Sequence, residues 1–201
     1  AGAHRAGQRC RRCRPSGPLP GARPASAALI VRAHLLTRPA PAADGPLELI
    51  ERDDPVPDPG EVVVAVSACA VCRTDLQLVE GDLSPRRLPV VPGHQVVGRV
   101  VAVGEGVDHA LVGERVGIAW IAGTCGRCRF CRSGRENLCL EASFTGWDRD
   151  GGFATHTTAR AEFVYPLPDG FADLDAAPLL CGGVIGYRSL RVAGVAPGMR
   201  V

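Results

Sequence analysis

The chain has 201 residues, a formal net charge of +2 at pH 7, 46% hydrophobic residues and 22% charged residues. This composition is typical of a globular protein with a sizeable core, and no apolar run approaches the roughly 20 residues that a membrane span needs. A net charge this close to zero gives no sign of a nucleic-acid partner. The sequence therefore predicts a protein that acts on neither membranes nor nucleic acids.

The first 28 residues differ in composition from the rest of the chain. Residues 1–28 are rich in Ala, Arg, Gly, Pro and Ser and contain no acidic residue, so we predict a disordered leader. A transit peptide, or an artefact of a misassigned start codon, would also fit. Cys10 and Cys13 form an isolated pair that we expect to bind nothing. Because no secretory signal is evident and the other cysteines cluster at metal-like spacings, we expect a cytoplasmic protein.

Short runs rich in Val, Ile and Leu, bounded by Asp, Pro and Gly, occupy the region from 29 to 169. They predict strands at 29–36, 47–51, 61–68, 96–103, 115–119 and 163–167. Two stretches have helical patterns: 73–79, and 173–193 with interruptions at Pro178 and Gly182-Gly183. We therefore predict a mainly β fold, a partly open barrel with a few short helices.

Four cysteines form the strongest local motif. Their spacings of x2, x2 and x7 allow four thiolates to converge on one tetrahedral Zn²⁺, which would leave no position open for substrate. Polar residues between them argue against core cysteines, and the missing secretory signal argues against disulfides. An iron–sulfur cluster is the main alternative. The motif predicts a structural zinc site at Cys125, Cys128, Cys131 and Cys139.

Three further residues have the chemistry of zinc ligands but lie far apart in the chain. Cys72 occurs in Ala-Val-Cys-Arg-Thr-Asp, His94 in Pro-Gly-His-Gln and Cys181 in Leu-Leu-Cys-Gly-Gly. A lone Cys is more often a small core residue than a ligand, and a lone His after Pro-Gly is more often a loop residue. The residues alone leave both interpretations open.

Six motifs taken together resemble a known family. In chain order they are Cys72-Arg-Thr-Asp75, Pro92-Gly-His94 to Gly98, Gly104-Glu-Gly-Val107, Gly113-Glu-Arg-Val116, the four-cysteine motif and Cys181. The series closely resembles the catalytic domain of zinc-dependent medium-chain alcohol dehydrogenases. The resemblance covers residues 29–201 and implies a GroES-like, partly open β-barrel with a zinc-binding lobe.

The resemblance also implies a second, open zinc site. In this family the residues matching Cys72, His94 and Cys181 bind a catalytic zinc, so the chain is expected to hold two Zn²⁺. The zinc activates an alcohol that transfers hydride to NAD or NADP. Thr74 matches the hydroxyl that takes the alcohol's proton, and Asp75 matches the carboxylate that orients the ligand histidine.

Other positions match the family less firmly. Arg73 matches a cation that faces the cofactor pyrophosphate, although a solvated surface charge is the alternative. Trp120 matches a position that narrows the pocket in favour of small primary alcohols, although a core Trp is the alternative. Gln95 replaces a Glu found in many members, and Gln77 replaces a His that passes the proton to solvent. We expect the relay to end in water.

Family members continue into a Rossmann domain, but no GxGxxG motif occurs before the last residue, Val201. We therefore expect a fragment, truncated before the Rossmann domain and inactive alone. The complete enzyme is expected to be a homo-oligomer that converts primary or secondary alcohols to aldehydes or ketones, or the reverse. One alternative is a non-catalytic zinc-binding module with only the four-cysteine site occupied. The other, a zinc-free reductase, is disfavoured by the three ligands.

Overall fold

The computed structural model describes residues 30–200. The predicted leader at 1–28, including Cys10 and Cys13, lies outside these residues. The strands are β1 (Val31–Leu36), β2 (Leu47–Arg52), β3 (Glu61–Cys69), β4 (Val96–Val103), β5 (Arg115–Ile118), β6 (Ile121–Gly123), β7 (Ser143–Phe144), β8 (His156–Arg160) and β9 (Val164–Pro166). The α-helices are α1 (Arg73–Glu80), α2 (Asp173–Ala176) and α3 (Gly182–Val192). Within 30–200, no helix is both long enough and apolar enough to cross a membrane.

A curled antiparallel sheet forms the centre of the fold. Its five strands lie in the order β8-β3-β4-β5-β9, and two antiparallel strand pairs, β1-β2 and β6-β7, form separate small sheets. The pairing of β3 with β4 shifts register between Val63 and Val64 and again between Val66 and Ala68. Such irregularities increase strand twist, which curls the sheet into a half-barrel. The predicted mainly β, partly open barrel is confirmed.

Valine side chains fill the inside of the half-barrel. Each buried side chain of this size contributes about 1.5–3 kcal/mol, and β-branched residues pack well on a pleated surface. Close approach of β3 and β4 requires Gly98, because a Cβ there would lie 2.2 Å from the carbonyl oxygen of Ala65. The fully buried members of this core include Val62, Val64, Val96, Val100, Val116 and Ile118.

The strand predictions agree with β1 to β5 and β9 to within two residues, but β6, β7 and β8 were not predicted. The predicted helical region at 173–193 divides into α2, a 3-10 turn at Ala177–Leu180, and α3. Pro178 lies in that turn, as expected. The expected break at Gly182-Gly183 was wrong. The backbone departs from helix at Cys181, with φ −131° and ψ −78°, and α3 starts directly at Gly182.

Candidate metal centres

The four-cysteine motif folds into a compact lobe, residues 125–139, with short 3-10 helices at Cys131–Ser133 and Glu136–Leu138. The Sγ atom of Cys131 lies 3.9 Å from that of Cys125 and 3.5 Å from that of Cys128. The Sγ atoms of Cys125 and Cys139 lie 3.6 Å apart. Four sulfurs bonded to one zinc at about 2.3 Å lie about 3.8 Å apart. The donor set therefore fits a single tetrahedral ion.

The same distances bear on the alternatives to zinc. A disulfide requires sulfurs about 2.05 Å apart, and the cysteines of residues 30–200 are all free. Convergence on one point favours a single ion over a multi-iron cluster, which needs a wider cage. A hydrogen bond from the backbone of Cys131 is the main influence that lowers the pKa of the Cys128 thiol to about 7. Its thiolate, the form that binds metal, is thus favoured near neutral pH.

A second group of donors converges from three separate elements. Cys72 is the N-cap of α1, His94 lies two residues before β4, and Cys181 is the N-cap of α3. Their ligand atoms all lie within 4.8 Å of one another. His94 is fully buried, whereas the two cysteines are half-buried. Two thiolates and an imidazole are borderline-soft donors that suit zinc and leave room for a fourth ligand.

The carboxylate of Asp75 links two of these donors. Its Oδ1 atom lies 2.9 Å from Nδ1 of His94 and accepts a hydrogen bond of 3.1 Å from the backbone N–H of Gly93. Its Oδ2 atom accepts a 2.8 Å hydrogen bond from the backbone N–H of Cys72, which closes a capping box at the start of α1. When Asp75 accepts from Nδ1–H, the lone pair of Nε2 is free to bind a metal.

Burial and neighbouring groups shift the pKa values of all three donors. Burial acts to lower the pKa of His94, but the hydrogen bond and charge of Asp75 outweigh it and the pKa is raised. Burial acts to raise the pKa of Cys72, but hydrogen bonds from Thr74 and the proximity of His94 outweigh it and the pKa is lowered. Burial, followed by the proximity of Cys72, raises the pKa of Cys181 to about 11. Two thiols this close cannot both ionise easily without a cation between them.

The backbone at Gly93 fixes the approach of His94. Gly93 has φ 98°, and a Cβ there would lie 2.6 Å from a ring carbon of Phe153 and 2.9 Å from Sγ of Cys69. Only glycine fits both the conformation and the space. The buried side-chain amide of Gln95 donates a 3.2 Å hydrogen bond to the carbonyl of Ala70. The loop before Cys72 is thereby tied to the segment that carries His94.

The remaining predicted site residues lie on α1, apart from Trp120, which lies beside His94. Thr74 Oγ1 is 3.8 Å from Sγ of Cys72. The ring of Trp120 lies 5.0 Å from that of His94 in an edge-on arrangement. Arg73, in the first turn of α1, is 66% exposed and 3.8 Å from the exposed carboxylate of Asp82. Gln77 lies one turn further along α1 and is half-buried.

Sequence reasoning missed the aromatic residues behind Trp120. The Trp120 ring stacks on Phe144 with centroids 4.8 Å apart and on Trp147 with centroids 5.8 Å apart. The guanidinium of Arg86 lies 4.0 Å from the centroid of Trp147. The only signal was compositional, because Phe144 and Trp147 lie three positions apart in a chain with 4% aromatic residues.

Comparisons with known proteins agree with this architecture. Residues 58–169, more than half of the chain, match the family model described as "Alcohol dehydrogenase GroES-like domain". A probable alcohol dehydrogenase AdhA of Mycobacterium tuberculosis is 53% identical over 169 residues, which are 82% of this chain and 49% of that protein. An alcohol dehydrogenase of Geobacillus stearothermophilus is 44% identical over 154 residues, 76% of this chain and 46% of that protein. The chain thus spans about half the length of these relatives.

Solved structures show the same fold. A cobalt- and zinc-bound thermostable alcohol dehydrogenase from Pyrobaculum aerophilum superposes with a TM-score of 0.76 at 27% identity, covering 85% of this chain and 50% of that one. A cinnamyl alcohol dehydrogenase from Sorghum bicolor superposes with a TM-score of 0.73 at 31% identity, covering 84% and 50%. The chain belongs to the zinc-dependent alcohol dehydrogenase family, through its GroES-like domain.

Proposed function

We propose that this chain is the catalytic domain of a zinc-dependent alcohol dehydrogenase. The reaction is oxidation of a primary or secondary alcohol to an aldehyde or ketone, with hydride transfer to NAD or NADP. The observation that carries the proposal is the convergence of Cys72, His94 and Cys181 within 4.8 Å. Two cysteines and a histidine that come together from distant parts of the sequence are the donor set of an open zinc site.

Two zinc ions are proposed for each chain. The cysteine lobe would hold one, and its four sulfur donors leave that ion closed to substrate. Cys72, His94 and Cys181 would hold the other. When bound there, zinc supplies Lewis-acid polarisation of the alcohol oxygen. Asp75 fixes the ring of His94 and the backbone of Cys72, so the same carboxylate holds two of the three ligands in position.

Proton transfer is assigned to Thr74. Its hydroxyl, 3.8 Å from Sγ of Cys72, lies at the edge of the donor group and can accept a proton from the alcohol while donating its own. Gln77 follows one turn later on α1 and cannot titrate near neutral pH. We therefore propose that the proton leaves Thr74 through water.

One residue is proposed to contact the substrate and another the cofactor. Trp120 is proposed to narrow the pocket beside His94 for a small alcohol or aldehyde, because its ring lies 5.0 Å from the imidazole. Arg73 is proposed to contact the cofactor pyrophosphate, because its guanidinium is 66% exposed and only loosely paired. We further propose that the domain spans 29–201 and acts in a cytoplasmic homo-oligomer.

Elemental analysis of the folded 201-residue chain tests the proposal. We expect about two zinc ions per chain, falling to one in Cys125→Ser and to one in Cys181→Ser. Cys69→Ser is the matched control, because Cys69 is a free thiol outside both donor groups. One zinc, lost only in Cys125→Ser, would overturn the proposal in favour of a non-catalytic module with the four-cysteine site alone.

A further inference from the structure

The ligand Cys181 is held differently from the other two. Cys72 and His94 belong to segments adjoining β3 and β4, and Asp75 ties them together. Cys181 instead ends a short segment, residues 173–181, that we call the docking arm. Beyond it, α3 has no buried residue in the part of the chain that the structure describes. Within that part, the position of Cys181 therefore depends on how the preceding arm docks on the sheet.

The apolar contacts of the arm are small. Ala176, Ala177 and Leu180 pack against Ala68 and Val97 of the sheet. Two alanine side chains bury little apolar area. Leu174 and Leu179, the other large apolar side chains of the arm, are 79% and 45% exposed. Apolar packing alone is thus a weak anchor for a metal ligand.

Polar contacts at the start of the arm attach it to the sheet more firmly. We call the hydrogen-bonded group of Arg115, Asp173 and Ser67 the clamp. The Nε atom of Arg115, at the start of β5, donates a 2.7 Å hydrogen bond to Oδ1 of Asp173. Its two Nη atoms donate to the carbonyl oxygens of Pro168 and Phe171 at 3.1 and 2.9 Å. The hydroxyl of Ser67 on β3 donates a 2.5 Å hydrogen bond to Oδ2 of Asp173.

The clamp is more than a surface ion pair. The side chain of Arg115 is 15% exposed and that of Asp173 is 37% exposed, and each of the three nitrogen atoms of Arg115 has a partner within residues 168–173. A planar guanidinium held at each of its three nitrogen atoms fixes geometry as well as position. Both carboxylate oxygens of Asp173 are bound to the sheet, one by Arg115 and one by Ser67. The arm is therefore attached to the sheet through both carboxylate oxygens of its first residue.

We propose that Arg115 and Asp173 are positioning residues for the third zinc ligand, Cys181. Cys181 reaches Cys72 and His94 only when Arg115 holds Asp173, and with it the docking arm, against the sheet. This gives a role to the Gly-Glu-Arg-Val motif, which sequence reasoning left without one. The inference rests on the proposed metal centre at Cys72, His94 and Cys181. The cysteine lobe lies outside the clamp and serves as an internal control for folding and metal supply.

The test is Co²⁺ titration of the metal-free 201-residue chain, followed by cobalt–thiolate absorption. Spectra of Cys125→Ser and Cys181→Ser assign the two binding steps. In Arg115→Gln and Asp173→Asn we expect the step assigned to Cys181 to weaken at least tenfold, with the lobe step unchanged. Asp173→Glu, which keeps the carboxylate, should restore most of the affinity. Arg160→Gln removes an exposed ion pair with Glu162 at the end of edge strand β8 and should change neither step.

Hydrogen exchange provides a second readout that needs no metal. In Arg115→Gln, amides of residues 173–181 should exchange faster, while those of β3 and β4 keep their protection. Unchanged Co²⁺ affinity at both steps in both clamp variants would overturn the inference and leave the proposed function standing. A wild-type chain that binds only the lobe cobalt would overturn both.

Discussion

Asp75 lies 2.9 Å from Nδ1 of His94, and both side chains are buried. The same carboxylate also accepts hydrogen bonds from the backbone N–H groups of Cys72 and Gly93. One side chain thus connects the start of α1 to the segment before β4. Because a buried carboxylate with three donors is fully satisfied, we regard it as the main determinant of the geometry between Cys72 and His94.

Replacing Asp75 with Asn should loosen that geometry. An amide has one accepting oxygen, so its NH₂ group would face at least one of the donors that Asp75 now satisfies. Loss of such a partner typically lowers metal affinity by about 10 to 100-fold. We expect Asp75→Asn to weaken the open site by this factor and to leave the cysteine lobe unaffected, as measured by competition with a chromophoric chelator. Equal affinity in Asp75→Asn and in the exposed control Asp82→Asn would contradict this assignment.

Gly93→Ala should displace His94. The added methyl group would lie 2.6 Å from a ring carbon of Phe153, and φ at this residue is 98°. Gly106→Ala is a matched control with φ 79° and no atom within 4 Å of the new Cβ. Both variants carry backbone strain of about 1–2 kcal/mol, but only Gly93→Ala adds a clash. Metal analysis should show loss of the open site in Gly93→Ala alone; loss in both would mean that strain rather than the clash is responsible.

The two candidate metal sites differ in how far the sequence predicts them. The ligands of the cysteine lobe are close neighbours in the chain, so their spacing alone predicts that they meet. Cys72, His94 and Cys181 come from three segments whose proximity depends on the pairing of β3 with β4 and on the docking of residues 173–181. No local pattern encodes that proximity. The sequence pointed to this group only through its resemblance to a family.

The strands that the sequence did not predict also lack a local pattern, and β8 is an example. Strand β8 reads His-Thr-Thr-Ala-Arg, and only Thr157 and Ala159 on one face are buried. It lies at the edge of the sheet, where polar residues are tolerated because one side is solvated. Its polar composition therefore does not indicate a strand. The valine-rich strand β4, by contrast, was predicted with the ends that it has in the structure. Arg115 was likewise indistinguishable in sequence from a surface arginine, and only the structure revealed its three partners.

Removing metal from the cysteine lobe should expose it to trypsin. Four exposed arginines lie within residues 125–139, and the lobe contains few buried side chains that could hold it without metal. Structural zinc sites of this kind fold only with the ion bound. We expect cleavage to be much faster in a chelator and to be prevented again by added zinc, with cut sites after Arg127, Arg129, Arg132 and Arg135 identified by mass spectrometry. Cys139→Ser should be cut rapidly even with zinc, and equal rates in all conditions would contradict a structural role.

Leu36 should be a large contributor to stability outside the central sheet. It is fully buried and packs with Leu78 and Val90, joining the β1-β2 hairpin to α1. Truncation of a buried leucine typically costs about 2–5 kcal/mol. We expect a decrease of this size in the free energy of unfolding of Leu36→Ala, measured by urea denaturation. Leu49→Ala, on the paired strand and 62% exposed, should change it by less than about 0.5 kcal/mol; similar losses in both would show that β1-β2 is not anchored through Leu36.

The clamp at Asp173 should make stability depend on pH. Its hydrogen bond from Ser67, followed by that from Arg115, lowers the pKa of Asp173 below its ordinary value. A carboxyl group whose pKa is lower in the folded state stabilises the fold above its unfolded pKa of about 3.9, and this contribution disappears as pH falls through the folded pKa. Asp173→Asn should therefore be less stable than wild type at pH 7, and the difference should shrink below about pH 4.

Urea unfolding of the metal-free chain in chelator, from pH 7 down to pH 3, measures this difference without interference from metal release. Asp54→Asn is a suitable control, because Asp54 is exposed and distant from the clamp in sequence. It should track the wild type at every pH. If Asp173→Asn were equally destabilised from pH 7 to pH 3, the loss would arise from altered packing of the arm, because a charge-dependent clamp has no partner to lose once the carboxylate of the wild type is itself protonated.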